Sequence, residues 1–560
     1  MDGPTLIRTT ATVGFTSSIY LSGIYFASSQ LTLPILYHLP STTSTSVFEE
    51  LYYRGAATVV PLALFSTLCS GLSGYLQPGR RAGFATAAAF TLATLGWTQA
   101  AMMKTNHALI AASKNERSRE RLGEQGIVDA LKRWRWMNFV RAGLGLVGGI
   151  AGLVAFPLLK RAYALGTDPI QGVNLGGWLV LEPWITPSIF QQFPDSAGVV
   201  DEYTLTQNIP NAGDILRKHW DSWVTLADFQ KIADNGFNAV RIPIGYWAFK
   251  KYQQDPYILD AQQDHLDQAI DWARQTGLKV WVDLHGAPRS QNGFDNSGQR
   301  VDTPGWTSDD SVAHTQDVIQ MIATKYADPS YADVVVGIEL LNEPLMANLP
   351  GGRGATQQYY QFGFDAVRGV AGSSAMVVIQ DGFANPPTWN GFLTGEGTQG
   401  AVVDHHEYQV FTNDLVAMSA QQHLDYVCGS AQSWGTNQDK FVIVGEFTGA
   451  LTDCAPALNG YGIGARYDGT YSKRQADGSY LGSNYVGSCA TINYIDQWSA
   501  QNKTDTIKYI NAQLDVFEQK AQGWFWWNFK TEAAAEWDLF RLIDAGVFPK
   551  LEGRERKTTC

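Results

Sequence analysis

The stretch VVVGIELLNEP, Val334 to Pro344, leaves this chain the fewest ways to fold. A short run that is almost wholly apolar reads as a strand buried on both faces, the kind found in parallel sheets covered by helices. An acid set where such a strand stops is not there for packing. Glu343 therefore marks the rim of a sheet, and in a parallel β/α barrel the carboxyl ends of the strands form the floor of the active site. About a hundred residues on, Phe441-Val442-Ile443-Val444-Gly445-Glu446-Phe447 repeats the pattern of a hydrophobic run followed by Glu.

Strand-like and helix-like runs alternate around these two. Pro169–Glu182 supplies a first strand and an acid-bearing loop, and Asn238–Pro243 a second, fed by HWDSWVTLADFQKIADNGF read as one amphipathic helix. A helix over His265–Thr276 leads to Lys279–His285. Strands five and six are Ala375–Gln380 and Val402–His406, strand seven ends at Glu446, and a helix around Thr506–Gln519 precedes Gly523–Asn528. Eight such units predict a (β/α)8 TIM barrel over residues 166–560, with a long Gly- and Tyr-rich insertion, Leu451 to Trp498, walling one side of its cleft.

Residues 1–165 differ in kind. They carry 15 basic and 7 acidic residues (+8), whereas the remainder carries 26 and 46 (−20). Apolar stretches at Ala11–Tyr37, Ala56–Leu76, Gly83–Met103 and Phe139–Leu159 each approach the ~20 residues that cross a bilayer. They are rich in Gly, Ala, Ser and Thr, which lets membrane helices approach closely. An all-α four-helix transmembrane domain is expected. Basic residues crowd the third loop, from Lys104 to Arg135, which places that loop in the cytoplasm and both termini outside. Asn106 and His107 at a membrane edge read as interfacial groups rather than chemistry. The acidic part has no polybasic stripe, so nucleic acid is not expected as a partner.

Cys428, Cys454, Cys489 and Cys560 all lie in the acidic part without CxxC spacing, compatible with two disulfides in any of three connectivities. With the glycosylation acceptor Asn502-Lys503-Thr504, they favour an oxidising compartment. The expected location is the extracellular or cell-wall face, membrane-anchored through residues 1–165, or secreted if that segment is absent from the working protein. No dense His/Asp cluster with ligand spacing occurs, so neither metal nor cofactor is expected.

Two strand-terminal glutamates on one rim suit cleavage of a glycosidic bond, one protonating the leaving oxygen while the other attacks or activates water. The motifs NLGGWLVLEPW, HWDSW, VRIPIGYWAF, DLHGAP, LLNEP, DHHEYQVF, GEFTGALTDC and NFKTEAAAEW run in order over Asp168–Cys560. Together they resemble fungal exo-β-1,3-glucanases of glycoside hydrolase family 5. Residues 10–160, with TNHALIAA and WRWMNFVRAGLGLVGG, resemble small anthrone-oxygenase-like membrane proteins.

The first resemblance implies Glu343 as general acid/base with a raised pKa, and Glu446 as a nucleophile kept ionised by Arg241. Asn342 would bind the sugar 2-hydroxyl, and His285, His406 and Tyr408 would line the cleavage subsite, with His405 and Glu407 facing away. Trp527 would stack under the terminal glucose, where family members often carry a second Trp in place of Phe529. Phe294 and Phe411 would clamp the next sugar, and Glu182 and Asp295 would bind the non-reducing end. The loop TGALTDC is shorter than the family pattern. Implied bridges are Cys454–Cys489 and Cys428–Cys560, and implied behaviour is that of a monomer acting on β-1,3-glucan. Alternatives are a membrane-anchored glucan-binding or transglycosylating wall protein, or a membrane oxygenase-like protein carrying a passenger hydrolase.

Overall fold

A computed structural model of the chain describes residues 3–76, 81–155, 169–395, 397–475 and 477–554. It divides into two compact units, Met1–Arg161 and Ala162–Cys560.

The described residues of the first unit are helices joined by short connections at Tyr37–Pro40 and Asn115. Three helices, Thr10–Leu36, Ser41–Leu76 and Glu116–Leu153, are long and apolar enough to cross a membrane. The expected third stretch forms the 17-residue helix Arg81–Trp97, continued through a π-turn at Thr98–Met102 into Met103–Lys114. Short hydroxyl side chains tie neighbouring helices. Ser18 Oγ donates to the Gly145 carbonyl at 2.8 Å, Ser22 Oγ to Ala142 at 2.7 Å and Ser66 Oγ to Gly14 at 2.6 Å. Such bonds satisfy polar atoms where lipid offers no partner. Asn106 is buried and accepts from Trp134 Nε1 at 2.7 Å, while His107 is exposed. Asn106 is thus a packing group between helices.

The second unit is a closed barrel of eight parallel strands, as the alternating runs predict: β1 (Ile170–Asn174), β2 (Ala239–Gly245), β3 (Lys279–Gly286), β4 (Val335–Glu339), β5 (Met376–Gln380), β6 (Ala401–Glu407), β7 (Phe441–Phe447) and β10 (Gly523–Trp526), which closes on β1. Strand periodicity of two sorts their residues. Val240, Ile242, Val280, Val282, Val403 and Val444 face the helices in the main core. Ile170, Ala239, Trp281, Val336, Val402, Ile443 and Phe525 fill the barrel's own lumen. Further along the strands, the lumen turns polar with Asn174, Arg241, Asp283 and Asp404, all fully buried. One more step brings His285 and His406 to the carboxyl rim.

Three local features differ from expectation. The helix read through HWDSWVTLADFQKIADNGF is two helices, Ala212–Trp223 and Leu226–Asp234, because Thr225 and Asp228 form a capping box that starts the second one. Strand β4 stops at Glu339, so Glu343 sits four residues beyond it in a loop, at φ +45°. The Leu451–Trp498 insertion carries its own hairpin, β8 (Ser472–Arg474) against β9 (Tyr480–Gly482).

Cys454 and Cys489 are bonded, with Cα atoms 5.2 Å apart. The Cys428–Cys560 pairing involves Cys560, which lies outside the described residues.

Candidate active site

A bulge builds the rim where β6 meets β7. His405 pairs with Val444 and His406 with Glu446, so Gly445 is the extra residue. Only glycine fits there: a Cβ on Gly445 would fall 2.1 Å from the Asp404 carboxylate, which instead accepts the Gly445 N–H at 2.7 Å. The bulge aims Glu446 into the lumen beside Glu343.

One oxygen of each glutamate and one nitrogen of His406 lie within 4.8 Å of one another. His406 Nδ1 is 2.7 Å from Glu343 Oε1 and 3.4 Å from Glu446 Oε2, and its Nε2 is 3.1 Å from Asp404 Oδ2. Both imidazole nitrogens are therefore engaged by carboxylates. Tyr408 donates to Glu446 Oε2 at 2.8 Å.

Arg241, rising from β2 with no exposed surface, organises the floor. Nη1 donates to Glu446 Oε1 at 2.9 Å and to Asn174 Oδ1 at 3.0 Å, and Nη2 donates to Asn342 Oδ1 at 2.8 Å. Nε donates to Glu339 Oε2 at 2.8 Å, and Asp283 Oδ2 lies 3.1 Å from Nη2. His285 leans on Asp283 at 2.5 Å and stacks against Trp527 with ring centroids 5.6 Å apart.

Glu182 and Asp295 sit at the buried end. Glu182 accepts from Trp184 Nε1 at 2.9 Å, yet its Oε1 and Asp295 Oδ2 have no protein partner. Burial pushes Asp295 up to about 7 and Glu182 well above the usual carboxylate range. Buried acceptors left open in this way suit a ligand that brings hydroxyl donors.

The proton distribution is the reverse of the expected one. Burial works to raise Glu343, but the hydrogen bond and charge of His406, with a 3.0 Å bond from Asn296 Nδ2, leave it below the ordinary value. Burial raises Glu446 despite His406 and Arg241. Burial also opposes charge on His406, yet Glu446, Asp404 and Glu343 hold it cationic. The physical reason is the 2.7 Å line between His406 and Glu343. Each favours the charged form of the other, the carboxylate of Glu343 and the imidazolium of His406.

Phe294 and Phe411, expected to clamp the next sugar, are both partly exposed and each rests on a different aromatic neighbour. Phe294 meets Phe383 edge-on at 6.2 Å, whereas Phe411 packs on Tyr408 at 5.5 Å and Trp537 at 6.3 Å. Phe529 is buried against Trp223 and Phe540, with no exposed face. His405 and Glu407 face outward, as strand alternation requires, and His405 bridges Asp381 at 2.6 Å and Glu407 at 3.1 Å. Asn174, Asp283, Glu339, Asp404 and Asn296 are site residues to which the sequence reading gives no role, although Asn174, Asp283 and Asp404 each open one of the motifs.

Buried titratable groups around the rim also set a pH dependence of stability. Burial raises Glu202 to about 8 and Glu536 to about 7, as it does Asp295, so each folds best with its proton on. That stabilisation is whole below the unfolded carboxylate pKa and is lost as pH rises through about 7 and 8. His405 reaches about 9 because Asp381 and Glu407 outweigh its burial, and it loses its share as pH rises from 6.5 through about 9. His219 and His423, lowered to about 4 by burial, oppose this only below about 6.5. Above that value all of these groups act in one direction. The thermal midpoint of the full chain in detergent, read by tryptophan fluorescence, is expected to be higher at pH 6 than at pH 9. A midpoint that climbs across that interval would contradict it.

Comparison with known proteins agrees with this geometry. Residues 212–462 match the Cellulase (glycosyl hydrolase family 5) family, and residues 48–151 match the Anthrone oxygenase family. A glucan 1,3-beta-glucosidase of Lachancea kluyveri is 46% identical over 402 residues, covering 70% of this chain and 89% of that protein. The glucan 1,3-beta-glucosidase I/II of Saccharomyces cerevisiae is 44% identical, covering 72% and 90%. Among solved structures, a rutinosidase from Aspergillus niger shares the fold with a TM-score of 0.54 at 20% identity, over 69% of this chain and 99% of that one.

Proposed function

The chain belongs to glycosyl hydrolase family 5, and we propose from that premise that its barrel is a retaining exo-β-1,3-glucanase, removing glucose from the non-reducing ends of β-1,3-glucans. The observation that carries the reading is the separation of the two glutamates, whose nearest oxygens lie within 4.8 Å. Direct attack by a carboxylate needs carboxyl groups about 5–5.5 Å apart, whereas an interposed water needs about 6.5–9.5 Å.

Glu446 attacks the anomeric carbon from below the ring while the glycosidic C–O bond breaks and Glu343 delivers a proton to the departing oxygen. The proton reaches Glu343 along the short bond from His406 Nδ1. As Glu446 spends its negative charge on the new C–O bond, His406 loses the strongest of the charges holding it cationic, so its proton moves toward Glu343 as the leaving oxygen needs it. In the second half, water gives a proton to Glu343 and its oxygen to the anomeric carbon, which releases Glu446. Arg241 and Tyr408, bonded to opposite oxygens of Glu446, fix its aim. Asn342, turned by Arg241, meets the 2-hydroxyl, and Trp527 backs the sugar ring. The open oxygens of Glu182 and Asp295 take hydroxyls of the terminal unit, which closes the pocket at one end and favours exo action.

The unit before the barrel anchors the enzyme in a membrane, with the barrel on the extracytoplasmic side, where Cys454–Cys489 is stable and wall glucan is within reach. The protein acts as a monomer. One experiment tests both parts. Carbonate-washed membranes from expressing cells are given laminarin, and the product is followed by proton NMR. The membrane pellet is expected to hold the activity and β-glucose to appear before mutarotation. Prompt α-glucose overturns retention, and activity confined to the supernatant overturns the anchor.

A further inference from the structure

Thirteen large apolar side chains are exposed on the described part of the second unit, and eight of them are not scattered. Phe294, Phe383 and Phe411 lie on rim loops, and Tyr480, Leu481, Tyr485, Val486 and Tyr494 lie on the insertion between β7 and the following helix. Tyr480 and Tyr485 are 67% and 68% exposed, values that no packing role explains. An exposed aromatic cluster of this kind marks a binding surface.

The insertion is also tied to both sides of the mouth. Arg300, a few residues past Phe294, donates from Nη1 to the Tyr461 carbonyl at 2.9 Å. Asn413, two residues past Phe411, donates from Nδ2 to the Gly482 carbonyl at 3.2 Å, next to Tyr480 and Leu481. Its base is fixed by the Cys454–Cys489 bond, and by Asp453, which accepts from the Arg466 N–H at 2.7 Å and the Tyr467 N–H at 2.9 Å. Asn493 Nδ2 adds a bond to the Cys454 carbonyl at 2.9 Å. The aromatic rings are thus carried on a braced support that continues the rim outward from Phe411.

Resting on the reading of the barrel as a glucanase, we propose that the hairpin segment Tyr480–Val486 is a second glucan-binding surface, holding the reducing-side length of a long β-1,3-glucan while its non-reducing end is cut. The occupant is a neutral polysaccharide because the surface offers tyrosine faces and aliphatic side chains, and apolar pyranose faces pack on such rings. Continuity with the pocket mouth sets the direction: a chain leaving between Phe294 and Phe411 runs onto the insertion.

The test is Tyr480→Ala combined with Tyr485→Ala in the full-length enzyme, assayed on p-nitrophenyl β-glucoside and on long β-1,3-glucan. The loss of two stacking faces is expected to raise KM for the polysaccharide about 5- to 10-fold. The aryl glucoside, too short to reach the hairpin, keeps its KM and kcat, and Tyr→Phe at both positions restores the polysaccharide KM. Unchanged KM on the polysaccharide overturns the proposal, and so does an equal loss on both substrates, which would signal a structural role. Failure of the glucanase reading itself would appear separately, as a wild-type enzyme inactive on both.

Discussion

Glu446→Ala is expected to reduce glucose release from laminarin by roughly 10⁵- to 10⁶-fold, the scale seen when a covalent nucleophile is removed. Glu343→Ala is expected to cost about 10²- to 10⁴-fold on the same substrate, the usual weight of a general acid. The Glu343→Ala loss should shrink for a dinitrophenyl glucoside, whose leaving group needs no proton, because only release of the enzyme-bound sugar then depends on Glu343. Azide separates the roles by stereochemistry. In the Glu446→Ala variant it enters from the vacated face and yields α-glucosyl azide. In the Glu343→Ala variant it attacks the covalent intermediate from the opposite face and yields the β anomer. The prediction rests on the geometry, since Glu446 is held from two sides by Arg241 and Tyr408 while Glu343 is bonded to His406 and Asn296. Exchanged anomers, or turnover like the wild type in either variant, would overturn the assignment.

The barrel was legible because its strands are apolar on both faces and end at marked residues, and this holds within a residue or two for β2, β5, β6 and β7. The exception is instructive. LLNEP is no part of β4, since Glu343 takes a positive φ that a glutamate gives no sign of in sequence. The two-helix break at Thr225 did carry a signal, Thr-Leu-Ala-Asp, which is a capping-box spacing inside a run that otherwise reads as one helix. Asp283 and Asp404 were equally visible, each two residues before a rim histidine and so on the same inward face. Asn296 and Phe383 were not, because they reach the site from loops whose path no periodicity records. The protonation order was hidden for a different reason. Whether Glu343 is raised or lowered depends on the 2.7 Å approach of His406, a distance set by the β6–β7 bulge.

Arg241→Met is expected to destabilise the barrel by about 3–5 kcal/mol, because removing one partner of a buried ionic cluster strands the others. The guanidinium is the cation at the centre of Asp283, Glu339 and Glu446, each within 3.1 Å, with Asp404 at 3.9 Å. Arg241→Lys should fare little better, since a single ammonium cannot span Glu339, Asn174, Glu446 and Asn342 at once. The kinetic signature distinguishes this from simple loosening. Glu446 must be charged to attack, and burial already raises its pKa against the pull of His406 and Arg241. Taking Arg241 away raises it further, so the acid limb of kcat/KM on an aryl glucoside must move to higher pH. Glu339→Gln supplies the contrast. Burial, with Asp283 and Asp404 beside it, pushes Glu339 well above the usual range against the pull of Arg241, so its neutral form is favoured and an amide mimics it. An amide oxygen can still accept from Arg241 Nε and Trp281 Nε1. The acid limb of that variant should stay in place. If Glu339→Gln shifts the limb while an Arg241 variant that remains folded does not, the negative charge that matters beneath the nucleophile belongs to Glu339, and the guanidinium serves only to fill the lumen.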